Sequence, residues 1–407
     1  MKIARIRTAT VFSKRKDVMD LSKFMDSLRS FEDSNIEVRT KRVVVDRKEF
    51  SLGDLVAFSK DIEEMGFWGF CVSFDNPTDE DQIASARKLI GETSNGFVNF
   101  KISKTVGKMD TNKIAPSTKL IEEISRDEEG INNFRLGFSF GLEEETPFFP
   151  YASMNGRTGF SVGLEYVDLI EEVINKHSRK PLGEIRRELK NRICWWLDNV
   201  TEWCEKIEDK SGFRFLGIDI SLAPYPYPLE DQSVAGLIEI LGNIARSRGD
   251  MGYRFGMNGT MFVHTFLTRV LKEIVNSGKY KTLGFNGIMY SVLEDSVLSA
   301  RFSNREIGVS DLLLLSTTCG CGIDMIPLSD RNPQKAISSL FFDIFAISSV
   351  LKKPLGIRAL PIPNSRPGDL TSFKHLFFTN AVLPEVSSGV SFNELPSQKD
   401  DSGIEIL

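Results

Sequence analysis

Residues 213–233 read "FRFLGIDISLAPYPYPLEDQS", and the way this stretch folds decides the architecture. Its first nine residues are mostly apolar, the pattern of a buried strand. Three prolines then fix the backbone outside helix geometry, so the strand runs into a stiff loop. In α/β proteins, ligands bind beyond the carboxyl ends of strands. Asp219 and Ser221 therefore have two readings. They hold a ligand, or they satisfy neighbouring backbone groups.

Outward from this strand, strand and helix patterns alternate. Strands are expected at 3–12, 36–46, 68–74, 97–103 and 133–141, then at 213–221, 282–290, 322–327 and 355–360. Helical spacing occupies 17–31, 51–66, 117–127, 165–176, 183–210, 231–247, 260–277, 310–317 and 333–351. Ser51 and Asp54 stand at capping-box spacing, and acids after Pro77 open another helix. Such alternation predicts parallel pairing through right-handed crossovers. About nine strands are many for a small open sheet. The expected fold is α/β: one closed β/α barrel of about ten strands over residues 1–385. "NKHSRKPLG" (175–183) is the candidate joint between its halves. Residues 386–407 read as an extended or partly disordered tail.

The chain has 407 residues, a net charge of −5, and 30 Phe against 7 Tyr, which predicts a large aromatic core. Its basic clusters, "SKRK" (13–16) and "EIRRELKNR" (184–192), have acids nearby and read as solvated faces, so no nucleic-acid partner is expected. The apolar runs are short and interrupted, so no membrane partner is expected. The N-terminus reads as a first strand, and scattered cysteines fit a reducing, cytoplasmic setting.

Three further stretches could carry chemistry. "RFGMNGTMFVHTF" (254–266) places Asn258, Gly259 and Thr260 at a helix start, where exposed N–H groups can hold an anion or an ordinary cap can form. "MYSVLEDSVLS" (289–299) places Glu294 and Asp295 after a strand. Paired carboxylates can act as acid and base, bind a cation, or favour a helix dipole. "LLLSTTCGCGIDMIPL" (313–328) holds Cys319, Cys321 and Asp324. With three His in the chain and no further ligand at a recognisable spacing, no metal is expected. An exposed thiol of lowered pKa could be a nucleophile, and a buried one would be inert.

Together, "IDISLAPYP", "NGTM", "SVLEDS" and "CGCGIDMIPLSDRNPQKAISSLFFD" resemble the domain of unknown function 711 family, best over residues 213–385. "ETPFFPYAS" (145–153) and the following "FSVGLEY" also fit. That family is similar in fold to pyruvate formate-lyase-like glycyl radical enzymes, which implies a ten-stranded β/α barrel. It implies no reaction. The Arg-Val-x-Gly-Tyr segment of radical enzymes has no counterpart here, so no glycyl radical is expected. Relatives show one cysteine where this chain has Cys319, and Cys321 is a departure.

The resulting expectation is a homo-oligomeric protein that binds a small anionic metabolite, with its cofactor unspecified. Cys319 and Cys321 would supply a nucleophile, with Glu294 and Asp324 as acid or base. Asp219, Ser221, Asn258, Gly259, Thr260 and Asp295 would hold the ligand. These residues are expected to converge at the carboxyl ends of the strands. The alternative is a non-catalytic metabolite-binding or regulatory protein on the same scaffold.

Overall fold

The computed structural model describes residues 4–14, 18–31, 36–226, 231–245, 252–318, 321–386 and 404–405. The first half alternates strands β1 (Ala4–Ser13), β2 (Ile36–Val45), β3 (Gly69–Phe74) and β4 (Gly96–Ser103) with helices α1 (Val18–Phe31), α2 (Leu52–Glu64) and α3 (Glu80–Glu92). A short β5 (Lys108–Met109), α4 (Ile114–Ser125) and β6 (Leu136–Phe140) follow. Two of these helices start where the sequence supplies a cap. Ser51 and Asp54 close a reciprocal capping box on α2, and Asp79 caps α3.

The second half comprises β7 (Gly159–Glu165), α5 (Val167–Lys176), α6 (Leu182–Ser211), β8 (Phe215–Asp219), α7 (Val234–Ala245) and α8 (Thr260–Asn276). It continues with α9 (Ser296–Ser303), α10 (Val309–Ser316), β9 (Gly322–Ser329), α11 (Pro333–Leu351) and β10 (Leu355–Ile362). A two-residue β11 (Ile404–Glu405) pairs with β5. Residues 175–183, the expected joint, span the end of α5, the turn after it and the start of α6.

The nine long strands form one sheet in the order β8-β7-β1-β2-β3-β4-β6-β10-β9. The expectation of parallel pairing throughout is corrected. β1, β2, β3, β4 and β6 are mutually parallel, but β7 is antiparallel to β1 and β10 is antiparallel to β6. The cause is the loop 141–158, which carries the chain from β6 to β7 without a crossover helix. The central block and its flanks therefore point their carboxyl ends in opposite directions.

That loop lies on one face of the sheet, and the strands are built to receive it. Side chains alternate across a strand. On β6, Phe138 and Phe140 face α11 and meet Phe341, while Gly137 faces the loop. A Cβ at Gly137 would stand 2.6 Å from Pro150, and one at Gly356 would stand 2.4 Å from Tyr151. Strand side chains also serve the loop's carbonyls, as buried backbone requires. Thr10 donates to Pro147 O at 3.1 Å, and Asn99 donates to Tyr151 O at 3.2 Å.

The regular ladder ends at β8 and β9 and does not close. The expected strand at 282–290 is instead an irregular segment with isolated bridges to Ile218 and Leu222 on one side and to Asp324 on the other. Positive φ at Gly284 and Asn286 bends it away from strand geometry. The expectation that no segment could span a membrane also needs adjustment. α11 has 19 residues and is long and apolar enough by length and composition, with half of it buried inside the protein.

Candidate functional site

A cavity of about 50 Å³ opens where β2, β3, β4 and β6 meet the flanking strands. The amino ends of β3, β4 and β6 bring Trp68, Phe97 and Phe134 to its wall, and β1 and β2 bring Arg7 and Arg42. Phe148, Phe149 and Tyr151 of the 141–158 loop form its floor. Ser291, Glu294, Cys321, Asp324 and Arg358 complete it. It therefore lies at the carboxyl end of the flanking strand β8, and at the amino end of the central block.

Asp324 and Arg358 meet through a β-bulge. Ile323 pairs with Ile357 and Ile326 with Ala359, so Asp324 and Met325 together oppose Arg358. Met325 takes a φ of 50°, which a non-glycine residue rarely adopts. Bulges re-aim side chains, and here Asp324 and Arg358 end up on one side. Arg358 Nε and Nη2 donate to the two Asp324 oxygens at 2.7 and 2.6 Å. Nη2 also donates to Glu294 Oε2 at 3.0 Å, and Nη1 donates to Phe134 O at 3.2 Å. Tyr151 Oη donates to Asp324 Oδ1 at 2.8 Å. Burial and then the Asp324 charge push the Tyr151 phenol well up, so it stays a donor. Burial works against the Arg358 charge, but Asp324 and Glu294 outweigh it and hold the guanidinium charged.

Arg42 has a different environment. It is buried, with its guanidinium 4.6 Å from the Trp68 ring centre and 4.9 Å from that of Phe149. Its Nε donates to Thr40 Oγ1 at 3.1 Å. Among the described residues no carboxylate lies within ion-pair distance of it. Burial pushes its pKa down to about 9, and Arg7 adds repulsion. Glu294 acts on it favourably but through space only.

The other expected site residues lie elsewhere. Asp219 is fully buried and accepts from Ser221 N and Oγ, Phe285 N, Asn286 N and Thr146 Oγ1. It thereby ties β8 to the irregular 281–292 segment, and neither Asp219 nor Ser221 lines the cavity. Asn258 and Gly259 are exposed in the turn before α8, where Thr260 Oγ1 bonds Tyr253 Oη at 2.7 Å. Asp295 accepts from Leu298 N at the start of α9 and from Val234 N and Ala235 N at the start of α7. Cys319 lies outside the described residues. Cys321 is buried beside Leu142, Phe148, Phe285 and Met289. Among the described residues no group of three or more His, Cys, Asp or Glu could hold a metal ion.

Sequence reasoning missed the arginines. Arg42 sits in "EVRTKRVVVD", beside the apolar run 43–45, and Arg358 in "LGIRAL" is a lone charge inside an apolar strand. A charge at a strand position that faces the interior is the signal that was available.

Fold and cavity together define an α/β protein with an arginine-lined interior site. The chain belongs to the family described as Uncharacterised ACR (DUF711), which matches residues 14–380. It is similar to the UPF0210 protein of Methanosarcina mazei, 21% identical over 394 residues that cover 92% of this chain and 84% of that one. It is also similar to the UPF0210 protein of Lacticaseibacillus paracasei, 21% identical over 362 residues that cover 88% of this chain and 76% of that one. The UPF0210 protein of Methanococcus aeolicus is 22% identical over 307 residues. The match covers 74% of this chain and 64% of that protein, so the chain spans less than two thirds of that relative.

Proposed function

We propose that this protein binds a small anionic metabolite in the cavity lined by Arg42 and Glu294. The observation that carries this reading is Arg42 itself. A guanidinium removed from water without a counter-ion is costly, and a bound carboxylate would supply two charge-assisted hydrogen bonds. Arg7, 5.3 Å over the Tyr225 ring, adds positive potential from β1. Arg39 contributes less, because it is tied to Glu37 and Glu165. The anion site is thus moved from the Asn258–Thr260 turn to the sheet interior. Titration calorimetry with acetate and with inorganic phosphate tests it. One anion should bind with unit stoichiometry, and Arg42→Met should weaken binding at least about tenfold. Absence of binding, or equal binding by the variant, overturns the reading.

Two finer readings belong with this one. The bonds from Ile218 and Leu222 to the 281–292 segment, and from Val292 N to Asp324 O, support a ring of ten elements closed by that irregular segment. A cytoplasmic, homo-oligomeric protein remains part of the proposal. On chemistry, Cys321 is the described thiol placed to meet a bound ligand, with Glu294 and Asp324 as neighbouring carboxylates. The apolar packing of Cys321 favours the alternative, a binding protein with no covalent step. A thiol titration separates them. Rapid, ligand-protected alkylation of Cys321 supports thiol chemistry, and inertness in the folded protein supports the binding protein.

A further inference from the structure

The far wall of the cavity carries polar groups that say more about the ligand than its charge. Ser291 is 1% exposed and lines the cavity, and its Oγ makes no hydrogen bond among the described residues. A buried hydroxyl without a partner is costly, so this atom points to a ligand group. Glu294 lies in the same wall, with Oε2 accepting from Arg358 and Oε1 making no hydrogen bond among the described residues. Arg42 and Glu294 both line the cavity, and no hydrogen bond or ion pair joins them among the described residues. One water occupies roughly 10–15 Å³ of such space. The cavity, at about 50 Å³, therefore suits roughly three to five non-hydrogen atoms.

Resting on the anion-binding reading above, we infer that the ligand is a two-carbon hydroxy acid, with its carboxylate on Arg42 and its hydroxyl between Ser291 and Glu294. A hydroxyl has one donor and two acceptor positions. It can donate to Glu294 Oε1 and accept from Ser291 Oγ–H, which matches both groups. A keto oxygen only accepts, so it would set its lone pairs against the Glu294 carboxylate. An ammonium only donates, so it would leave the Ser291 hydroxyl proton without an acceptor. The rings of Trp68, Phe148 and Phe149 bound the space and leave no room for a longer chain.

The test uses the full chain and calorimetric titration with glycolate, acetate, glycine, glyoxylate and citrate. Glycolate should bind at least about tenfold more tightly than acetate, glycine or glyoxylate, and citrate should not bind. Ser291→Ala should bring glycolate down to the affinity of acetate without changing the affinity for acetate. Its melting temperature should hold, because the hydroxyl removed has no partner in the fold. Acetate binding as well as glycolate would overturn the inference and leave the anion site standing. Stronger binding of glycine or glyoxylate would overturn the hydroxyl assignment, and citrate binding would overturn the size argument. If no carboxylate binds at all, the anion-site reading falls with it.

Discussion

Arg42 and Arg358 border one cavity and differ in what surrounds them, so their substitutions should move stability in opposite directions. Arg358 neutralises Asp324 and Glu294. Arg358→Met would strand two buried carboxylates and should cost roughly 3–5 kcal/mol. Arg42 leaves no carboxylate behind. Arg42→Met removes an uncompensated buried charge and puts an apolar thioether where the guanidinium lies against Trp68 and Phe149, so denaturant midpoints should hold or rise. A loss for Arg42→Met as large as that for Arg358→Met would mean that Arg42 has a partner in the fold. A third buried group gives a pH signature. His264 is fully buried, with Nδ1 bonded to Tyr290 Oη at 2.8 Å. Burial, with a smaller push from Lys353, lowers its pKa from 6.5 to about 3. Below pH 6.5 the unfolded chain takes up a proton that the folded chain refuses, so stability falls as pH drops toward 3. Between pH 7 and 5 this one group should cost about 2 kcal/mol. Denaturation of the wild type and of His264→Gln at both pH values measures it. The variant should lack that share of the loss, and equal losses would contradict a neutral His264.

At the scale of elements, the 141–158 loop is what the chain alone did not disclose. "ETPFFPYAS" reads as a turn-rich connection, and nothing local says that a connection lies against a sheet. Its evidence is distributed. Gly137 on β6 and Gly356 on β10 lack side chains where Pro150 and Tyr151 press against them. Helices were legible because their signals are local: the Ser51–Asp54 box marked α2. Strand β7 was missed as a strand because its glycines, Gly159 and Gly163, dilute the β pattern. Gly356→Ala would place a Cβ 2.4 Å from the Tyr151 ring. It should cost roughly 1–3 kcal/mol by overpacking and disturb the Tyr151–Asp324 hydrogen bond. Gly53, exposed on α2 with nothing near its Cβ position, is the control, and Gly53→Ala should be neutral or slightly stabilising. Equal effects at the two positions would mean that the loop does not press on β10. Asp295 shows why a carboxylate pair in sequence is ambiguous. Glu294 faces the cavity, while its neighbour caps α7 and α9. Asp295→Ala should lower stability by about 2 kcal/mol or more, from two lost caps, with ligand affinity unchanged once the protein is folded. Intact stability with lost affinity would restore Asp295 to the ligand site.

At the scale of the whole molecule, strand and helix alternation revealed an α/β protein but not the direction of its strands. Direction depends on whether a connection crosses over or turns inside, and hydrophobic periodicity carries no record of that choice. The cavity was half legible for the same reason. Glu294, Cys321 and Asp324 come from the second half of the chain, where motifs drew attention, while Arg7 and Arg42 come across the sheet from the first. The irregular 281–292 segment makes isolated bridges to Ile218 and Leu222 and to Asp324, and Asp219 is its anchor. The carboxylate takes the Phe285 and Asn286 N–H groups that a regular strand would have given to a neighbour. It also accepts from Thr146 in the 141–158 loop. Gly284 makes room for it, since a Cβ there would stand 2.2 Å from Asp219 Oδ2. Asp219→Ala should therefore act well beyond its own position. Several buried donors would lose a charged acceptor, at a cost of roughly 3–5 kcal/mol. In hydrogen exchange, the Phe285 and Asn286 amides should lose protection first, followed by Leu283 and Met289, which donate to Ile218 O and Leu222 O. Amides of β2, β3 and β4, deep in the central block, should exchange only with global unfolding. Undiminished protection at Phe285 and Asn286 in Asp219→Ala would show that the segment holds its place without this carboxylate. The proposed closure of the ring through 281–292 would then need another cause.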